Sequence, residues 1–483
     1  MSEAIAPDRR WLTLLAMTGS LSMIMLDSTV LGVALPSIQR DLKFDDVTLT
    51  WAVNGYLLAM ASWVALGGRL GDLIGRITAF RLGMVGFMLA SIGCALAPTA
   101  WIFVVARIIQ GICAGTMQPA SSAIVIDIYP AKQRGRAMAT YAGISLLFMA
   151  GGPLIGGALV QFASWHWCFW LNIPIALLSL GLTLKLRMKS VRAAARTTDW
   201  PSIALLLIAT PLLVIGLQGL GLHGLMNRPA WISIGIGGPL LLLFIHRQLR
   251  LTHPTIDLRL FRDRGLFGNA FLLFCVQFIN VGQGIYGSLY MQSFLGFTPM
   301  QAGFGTLPLL IPVLIIIHFA GRMYDHHGPR RPIMLGLCFV AIGTVIETIG
   351  VFALSYPILA TGMAVLGLGC GFAMSPANAD SLSRVPVTQR GEASGLVQMM
   401  RQFGSTIGIA MMVLVMHGAP PPTTESTATP SLTAHDIGLG FALHVIIALA
   451  ALVVGYFFVR QMTDHHLADH GLNQVAHSST PTT

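Results

Sequence analysis

Apolar residues along this chain gather in fourteen runs of roughly twenty, separated by short segments rich in arginine, glycine and proline. An α-helix needs about 20 residues to cross ~30 Å of hydrocarbon. Lipid leaves a spanning segment no other way to pair every backbone N–H and C=O. The pattern therefore predicts transmembrane helices at 11–36, 48–67, 78–97, 100–126, 137–161, 167–186, 200–220, 230–249, 266–294, 301–320, 332–352, 355–378, 393–416 and 437–459. Gly and Pro interrupt several of them, which spans tolerate because neighbouring helices satisfy the freed backbone groups.

Composition agrees. Of 483 residues, 54% are hydrophobic and only 10% charged, against about 25% charged in a soluble domain. The formal charge of +10 would suggest nucleic acid in a soluble protein; here its distribution matters more than its size. Cys94, Cys113, Cys168, Cys275, Cys338 and Cys370 all lie inside apolar runs with no C-x-x-C pair. They read as packing residues, with no metal centre or cofactor expected. Arg9 and Arg10 before an apolar run resemble a signal peptide, but that run is too long, contains Asp27 and lacks a small-residue cleavage site, so it is read as span 1.

Basic residues are retained on the cytoplasmic side. With the N-terminus inside, 24 of the 29 Lys and Arg residues fall in inner segments. Arg40, Lys43 and Arg228 remain outside, while Arg107 and Arg401 lie within spans. Both termini are then cytoplasmic, and the Pro- and Thr-rich segment 418–436 is an external loop.

The chain also repeats itself. Gly68-Arg69-Leu70-Gly71-Asp72-Leu73-Ile74-Gly75 returns as Gly321-Arg322-Met323-Tyr324-Asp325-His326-His327-Gly328, and Asp127 returns as Asp380 at the same offset. Pro130-x-x-Gln133-Arg134-Gly135 returns as Pro386-x-x-Gln389-Arg390-Gly391. The offset is eight spans, which a six-helix repeat explains if two helices are inserted between the halves. Expected domains are thus a six-helix bundle at 1–190, two inserted helices and an inner linker at 191–262, and a second six-helix bundle with its cytoplasmic tail at 263–483. Parallel repeats of this kind place a substrate site at the interface of two rocking halves.

With these motifs in their topological places, the sequence resembles the major facilitator superfamily, in its fourteen-span drug:proton antiporter branch. The two G-R-x-x-D-x-x-G segments resemble the superfamily's signature loop. Leu26-Asp27-Ser28-Thr29-Val30 with Ala34-Leu35-Pro36 resembles the branch's first-span motif, and Arg107-Ile108-Ile109-Gln110-Gly111 its span-4 motif. Gly151-Gly152-Pro153-Leu154-Ile155-Gly156-Gly157 resembles the antiporter motif of span 5. The segment from Trp165 to Pro174 is typical of the branch, although His166 stands where Arg is usual. Leu73 and Ile77 likewise replace basic residues common in the signature loop.

The resemblance implies that Gly68, Asp72, Gly75, Arg76 and Asp127 form a conformational latch, with Gly321, Asp325, Gly328, Asp380 and Arg330 or Arg331 as its second copy. An ordinary solvated turn is the plainer reading. Gly152, Pro153, Gly156 and Gly157 make span 5 small-faced; beyond close packing, the resemblance implies an antiporter seam that seals the cytoplasmic helix ends.

Charges inside the membrane are the sharpest signal, each costing at least ~2.5–3.5 kcal/mol on insertion scales. Asp27 lies ~24 Å up span 1 and Arg107 ~20 Å up span 4, so the two are within reach of each other as a proton-coupling pair. Arg401, ~12 Å up span 13, and Glu347, ~22 Å up span 11, are not expected to pair. Gln277, Asn280, Gln283 and Tyr286 spiral along one face of span 9 and, with Glu347, either line a substrate cavity or bond to neighbouring helices.

No lysine completes a phosphate-cradling G-x-x-x-x-G-K-[ST] loop, and no H-E-x-x-H or G-x-S-x-G is present, so an ATP-driven pump or a membrane enzyme finds no site. The expectation is a monomeric multi-pass protein of the bacterial inner membrane that exports small amphiphilic molecules against protons. A dedicated exporter of one metabolite and a non-transporting receptor or scaffold are the alternatives.

Overall fold

The structure is a computed structural model that describes residues 7–130, 133–186, 199–251, 254, 257–385, 390–417 and 433–459. The linker at 191–198, residues 386–389 of the second Pro-x-x-Gln-Arg-Gly copy, most of the 418–436 loop and the tail after 459 lie outside the described residues. Among the described residues the chain is helical throughout, with no strand.

The first half comprises α1 (Pro7–Asp41), α2 (Asp46–Ile74), α3 (Arg76–Ala95), α4 (Ala100–Ile128), α5 (Arg134–Phe162), and a sixth unit made of α6 (His166–Trp170) and α7 (Asn172–Lys185). A hairpin of α8 (Trp200–His223) and α9 (Arg228–Arg250) follows. The second half opens with one rod made of α10 (Arg264–Gly282), a π-helical turn (Gln283–Gly287) and α11 (Ser288–Ser293). It continues with α12 (Pro299–Gly305), α13 (Leu307–His327), α14 (Arg330–Phe352), α15 (Tyr356–Ser383), α16 (Arg390–His417) and α17 (Ala434–Val459).

Thirteen helical segments among the described residues are long and apolar enough to cross a membrane, and they coincide with thirteen of the fourteen apolar runs. The remaining run, 48–67, forms α2, a helix of 29 residues. Local signals set the ends. Asp45 caps α2 by accepting from the Thr48 N–H at 2.9 Å. Thr298 and Gln301 form a reciprocal capping box at α12. The turns from α2 to α3 and from α13 to α14 pass through Gly75 and Gly328, at φ 93° and 72°. A residue with a Cβ resists that left-handed region, so the last glycine of each signature loop is a backbone requirement.

Duplication is visible in packing as well as in sequence. In the first half α1 packs on α5, α2 on α4, α3 on α4 and α1 on α7; in the second, α10 packs on α16, α13 on α15, α14 on α15 and α10 on α17. The inserted hairpin stands outside this scheme. Its helix α8 leans on both α2 and α16, through a 2.6 Å hydrogen bond between Ser62 and Thr210 and an apolar contact of Val214 with Leu58 and Ala410. The hairpin is tied at one end by Arg247, which donates from Nε and Nη2 to Asp199 at 3.1 and 2.9 Å. Those bonds hold the Asp199 carboxyl below its usual range.

Candidate functional site

Asp27 and Arg107 meet. Arg107 Nη1 donates to Asp27 Oδ2 at 2.6 Å, and the two side chains are 3% and 1% exposed. A buried ion pair survives only when its remaining lone pairs and protons are satisfied, and here several helices supply partners. Arg107 Nη1 also donates to Gln110 Oε1 at 2.7 Å, and Arg107 Nε to the Ala52 carbonyl at 3.3 Å. Gln110 Nε2 donates to Ser91 Oγ at 2.8 Å and to Asp27 Oδ1 at 3.3 Å. Asn172, the first residue of α7, reaches both Asp27 and Ser91. The Tyr56 ring covers the guanidinium, with Arg107 Cζ 4.3 Å from its centroid. The network therefore pins α1, α2, α3, α4 and α7 together in the middle of the first half.

Gln110 and Asn172 lie inside motifs the sequence displays, yet their place around Asp27 was not read from it, nor were Ser91 and Tyr56. The one available signal was depth: each sits in a span at a level close to the ion pair. Helix rotation, which decides whether a polar side chain faces that pair, is set by packing.

The signature loops differ between halves. Arg76, the first residue of α3, bonds Asp127 at 2.5 Å near the end of α4, on a half-exposed surface. In the second half Asp380 is fully buried and is held by Arg384 on its own helix at 2.7 Å and by Asn269 at 2.6 Å. Arg384 also reaches Asp263 at 3.3 Å. Among the described residues Asp380 makes no ion pair with Arg330 or Arg331, the partners the resemblance implies; Arg384 takes that place in this conformation. Asp72 and Asp325 sit on the ends of α2 and α13, and their side chains lie outside the described set. Gly68 and Gly321 make no close helix approach; the tight contact is at Gly67, where a Cβ would fall 2.1 Å from the Gly115 carbonyl.

The ion pairs at Arg76 and Arg384 mark one face of the bundle, the arginine-rich face. Contacts between the halves cluster toward the opposite face. A Cβ on Gly32 would come within 2.8 Å of the Gly284 carbonyl, one on Gly157 within 2.7 Å of the Pro299 carbonyl, and one on Gly303 within 2.2 Å of the Pro153 carbonyl. Gln292 donates to the Val33 carbonyl at 3.1 Å, and the Met300 N–H to Gln161 at 3.3 Å. The span-5 seam is central to this closure. Gly152 and Gly156 abut Thr29 and Val30 of α1, while Pro153 and Gly157 abut α12. The resemblance placed this seam at the cytoplasmic helix ends; it lies near the Phe162 end of α5, away from the arginine-rich face.

The polar residues of the second half also separate. Glu347 is 0% exposed, with neither carboxylate oxygen hydrogen bonded among the described residues, and lies against Gly362 of α15 and not on a cavity wall. Asn280 turns to the sulfurs of Cys370 and Met374 on α15. Gln283 and Tyr286 are both buried within the π turn, where the extra residue per turn resets the helix rotation. Only Gln277 lies between the side of α10 packed on α15 and the side packed on α16, and so points into the space between the halves. No group of three or more metal-ligating side chains occurs among the described residues.

Comparison with known proteins agrees with this architecture. The chain is similar to the multidrug resistance protein Stp of Mycobacterium tuberculosis, at 31% identity over 84% of this chain and 75% of that one. It is 29% identical to the puromycin resistance protein pur8 of Streptomyces alboniger over 95% of this chain and 93% of that one. It is also 29% identical to the tetracenomycin C resistance and export protein of Streptomyces glaucescens, over 84% and 76%. Among solved structures, a D-xylose-proton symporter superposes with a TM-score of 0.66 at 16% identity, over 92% of this chain and 97% of that one. A POT family transporter gives 0.67 at 15% identity, over 94% and 97%. Residues 17–409 match the profile of the Major Facilitator Superfamily, and the chain belongs to that superfamily.

Proposed function

We propose that this multi-pass membrane protein is a proton-coupled exporter of small amphiphilic molecules, working by alternating access between two six-helix halves. The observation that carries the coupling is the Asp27–Arg107 pair: a carboxyl fully enclosed in the membrane, on the helix that also touches the other half through Gly32. The relatives named for resistance to, or export of, toxic compounds support the direction of transport. Fourteen crossings, both termini in the cytoplasm and a bacterial inner membrane complete the reading, with the arginine-rich face cytoplasmic by the positive-inside rule. The conformation then opens toward the cytoplasm and is closed outside. The protein works as a monomer.

In inverted vesicles energised by an imposed pH gradient and free of ATP, the protein is expected to accumulate at least one member of a panel of amphiphilic antibiotics and dyes severalfold over protein-free vesicles. Accumulation should collapse on adding a protonophore. Accumulation that persists without any ion gradient but requires ATP would overturn the proposal.

A further inference from the structure

Span 13 carries an arginine that the proton pair does not use. Three contacts fix the rotation of α16. Gly404 and Gly408 lie against the backbone of Phe274 and Phe278 on α10. Gln402 Nε2 contacts Met60 Sδ on α2. Ala410 packs with Val214 of α8. At about 100° per residue, Arg401 falls between the α10 side and the α2 side and opposite the α8 side. α10 belongs to one half and α2 to the other, so Arg401 points into the space the halves enclose. Ser394 and Gln398 lie on the same stripe, exposed and half-buried. Such a polar stripe is expected to face water in a cavity, not lipid.

Among the described residues the guanidinium has no counter-charge. Its Nε has no hydrogen-bond partner, and no carboxylate among the described residues pairs with it. Arg107, the other intramembrane arginine, is fully paired. We propose that Arg401 is the anion-recognition point of the central cavity, and that the preferred cargo is an amphiphile bearing a carboxylate or similar anionic group. The surroundings suit such a molecule. α16 and α10 run parallel with Gly404 level with Phe274, so Gln277 stands ~9 Å further along the axis toward the closed end. Ser28 and the half-buried Met25 share the α1 face that carries Gly32, which touches the other half. An anionic head on Arg401 would leave its body between Met25 and the half-buried Phe274, with a neutral polar group near Gln277 or Ser28. This assignment rests on the exporter reading and narrows its cargo.

The test uses the full chain in lipid nanodiscs and two xanthene dyes of similar size, fluorescein as the anion and rhodamine 123 as the cation, with binding read by fluorescence anisotropy at pH 8. The wild type is expected to bind fluorescein at least about tenfold more tightly than rhodamine 123. Arg401→Gln should weaken fluorescein binding by roughly tenfold to a hundredfold, the range for losing a hydrogen bond to a charged group, and leave rhodamine 123 unchanged. Arg401→Lys should keep most of the fluorescein affinity, and Arg401→Glu should reverse the preference. Equal binding of both dyes by the wild type, a preference for rhodamine 123, no binding of either, or undiminished fluorescein binding by the Gln and Glu variants would each overturn the proposal. Uphill transport of fluorescein in proteoliposomes is measured separately. Binding that follows Arg401 without any transport would count against the exporter reading and leave the anion site standing.

Discussion

Asp27→Asn is expected to reduce proton-driven accumulation to background. Of the side chains in the buried network, Asp27 is the one carboxyl, and asparagine keeps its shape without being able to carry a proton. The single substitution also leaves Arg107 buried without its counter-ion. Breaking a buried pair from one side costs about 3–5 kcal/mol, enough to confuse lost coupling with lost folding. The informative variant is therefore Asp27→Asn combined with Arg107→Gln, which removes both charges and leaves polar groups for Gln110, Ser91 and Asn172. It should elute as a folded protein and exchange substrate down its gradient, but fail to concentrate it. If the double variant accumulates substrate at the wild-type rate, the pair is a strut between α1 and α4, and Glu347 becomes the next carboxyl to test.

A larger conformational effect is expected from Gly303→Ala. The new Cβ would sit 2.2 Å from the Pro153 carbonyl, a backbone atom that no rotamer change can move aside. Overpacking of this kind costs typically about 1–3 kcal/mol. That cost falls only on the conformation in which the halves touch here, so the balance should shift by roughly fivefold to a hundredfold toward the alternative. Gln277→Cys, facing the enclosed space, reports it. An impermeant maleimide added from the side opposite the arginine-rich face should label the Gly303→Ala protein much faster than its parent. An unchanged labelling pattern would mean that the seam does not govern access. Arg76→Ala offers a contrast in the same assay: its partner Asp127 is exposed, and a surface pair contributes at most about 1 kcal/mol.

The spans and the family were legible because they depend on quantities written along the chain: run length, charge placement and motif order. The Asp27–Arg107 contact was legible because depth follows from counting residues at 1.5 Å each. Rotation about a helix axis is different. The sequence makes Gln277, Asn280, Gln283 and Tyr286 a slow spiral, but the π turn resets the angle and divides them among a cavity, a neighbouring helix and the core. Glu347 read as a cavity candidate because a buried, unpartnered carboxyl is improbable by cost alone. Arg401, lower in its span, has no partner at its own depth in the sequence, and its orientation emerges only once α2, α8 and α10 are packed around α16.

The inserted hairpin breaks the symmetry of the duplicated fold. α8 bolts the flank where α2 meets α16, while the flank between α5 and α13, its counterpart in the duplication, carries no such cover among the described residues. If the halves tilt as proposed, the flank held by α8 is expected to move less than the one without the hairpin. Under the proposed alternating access, cargo dissolved in the lipid is expected to enter by the flank away from α9.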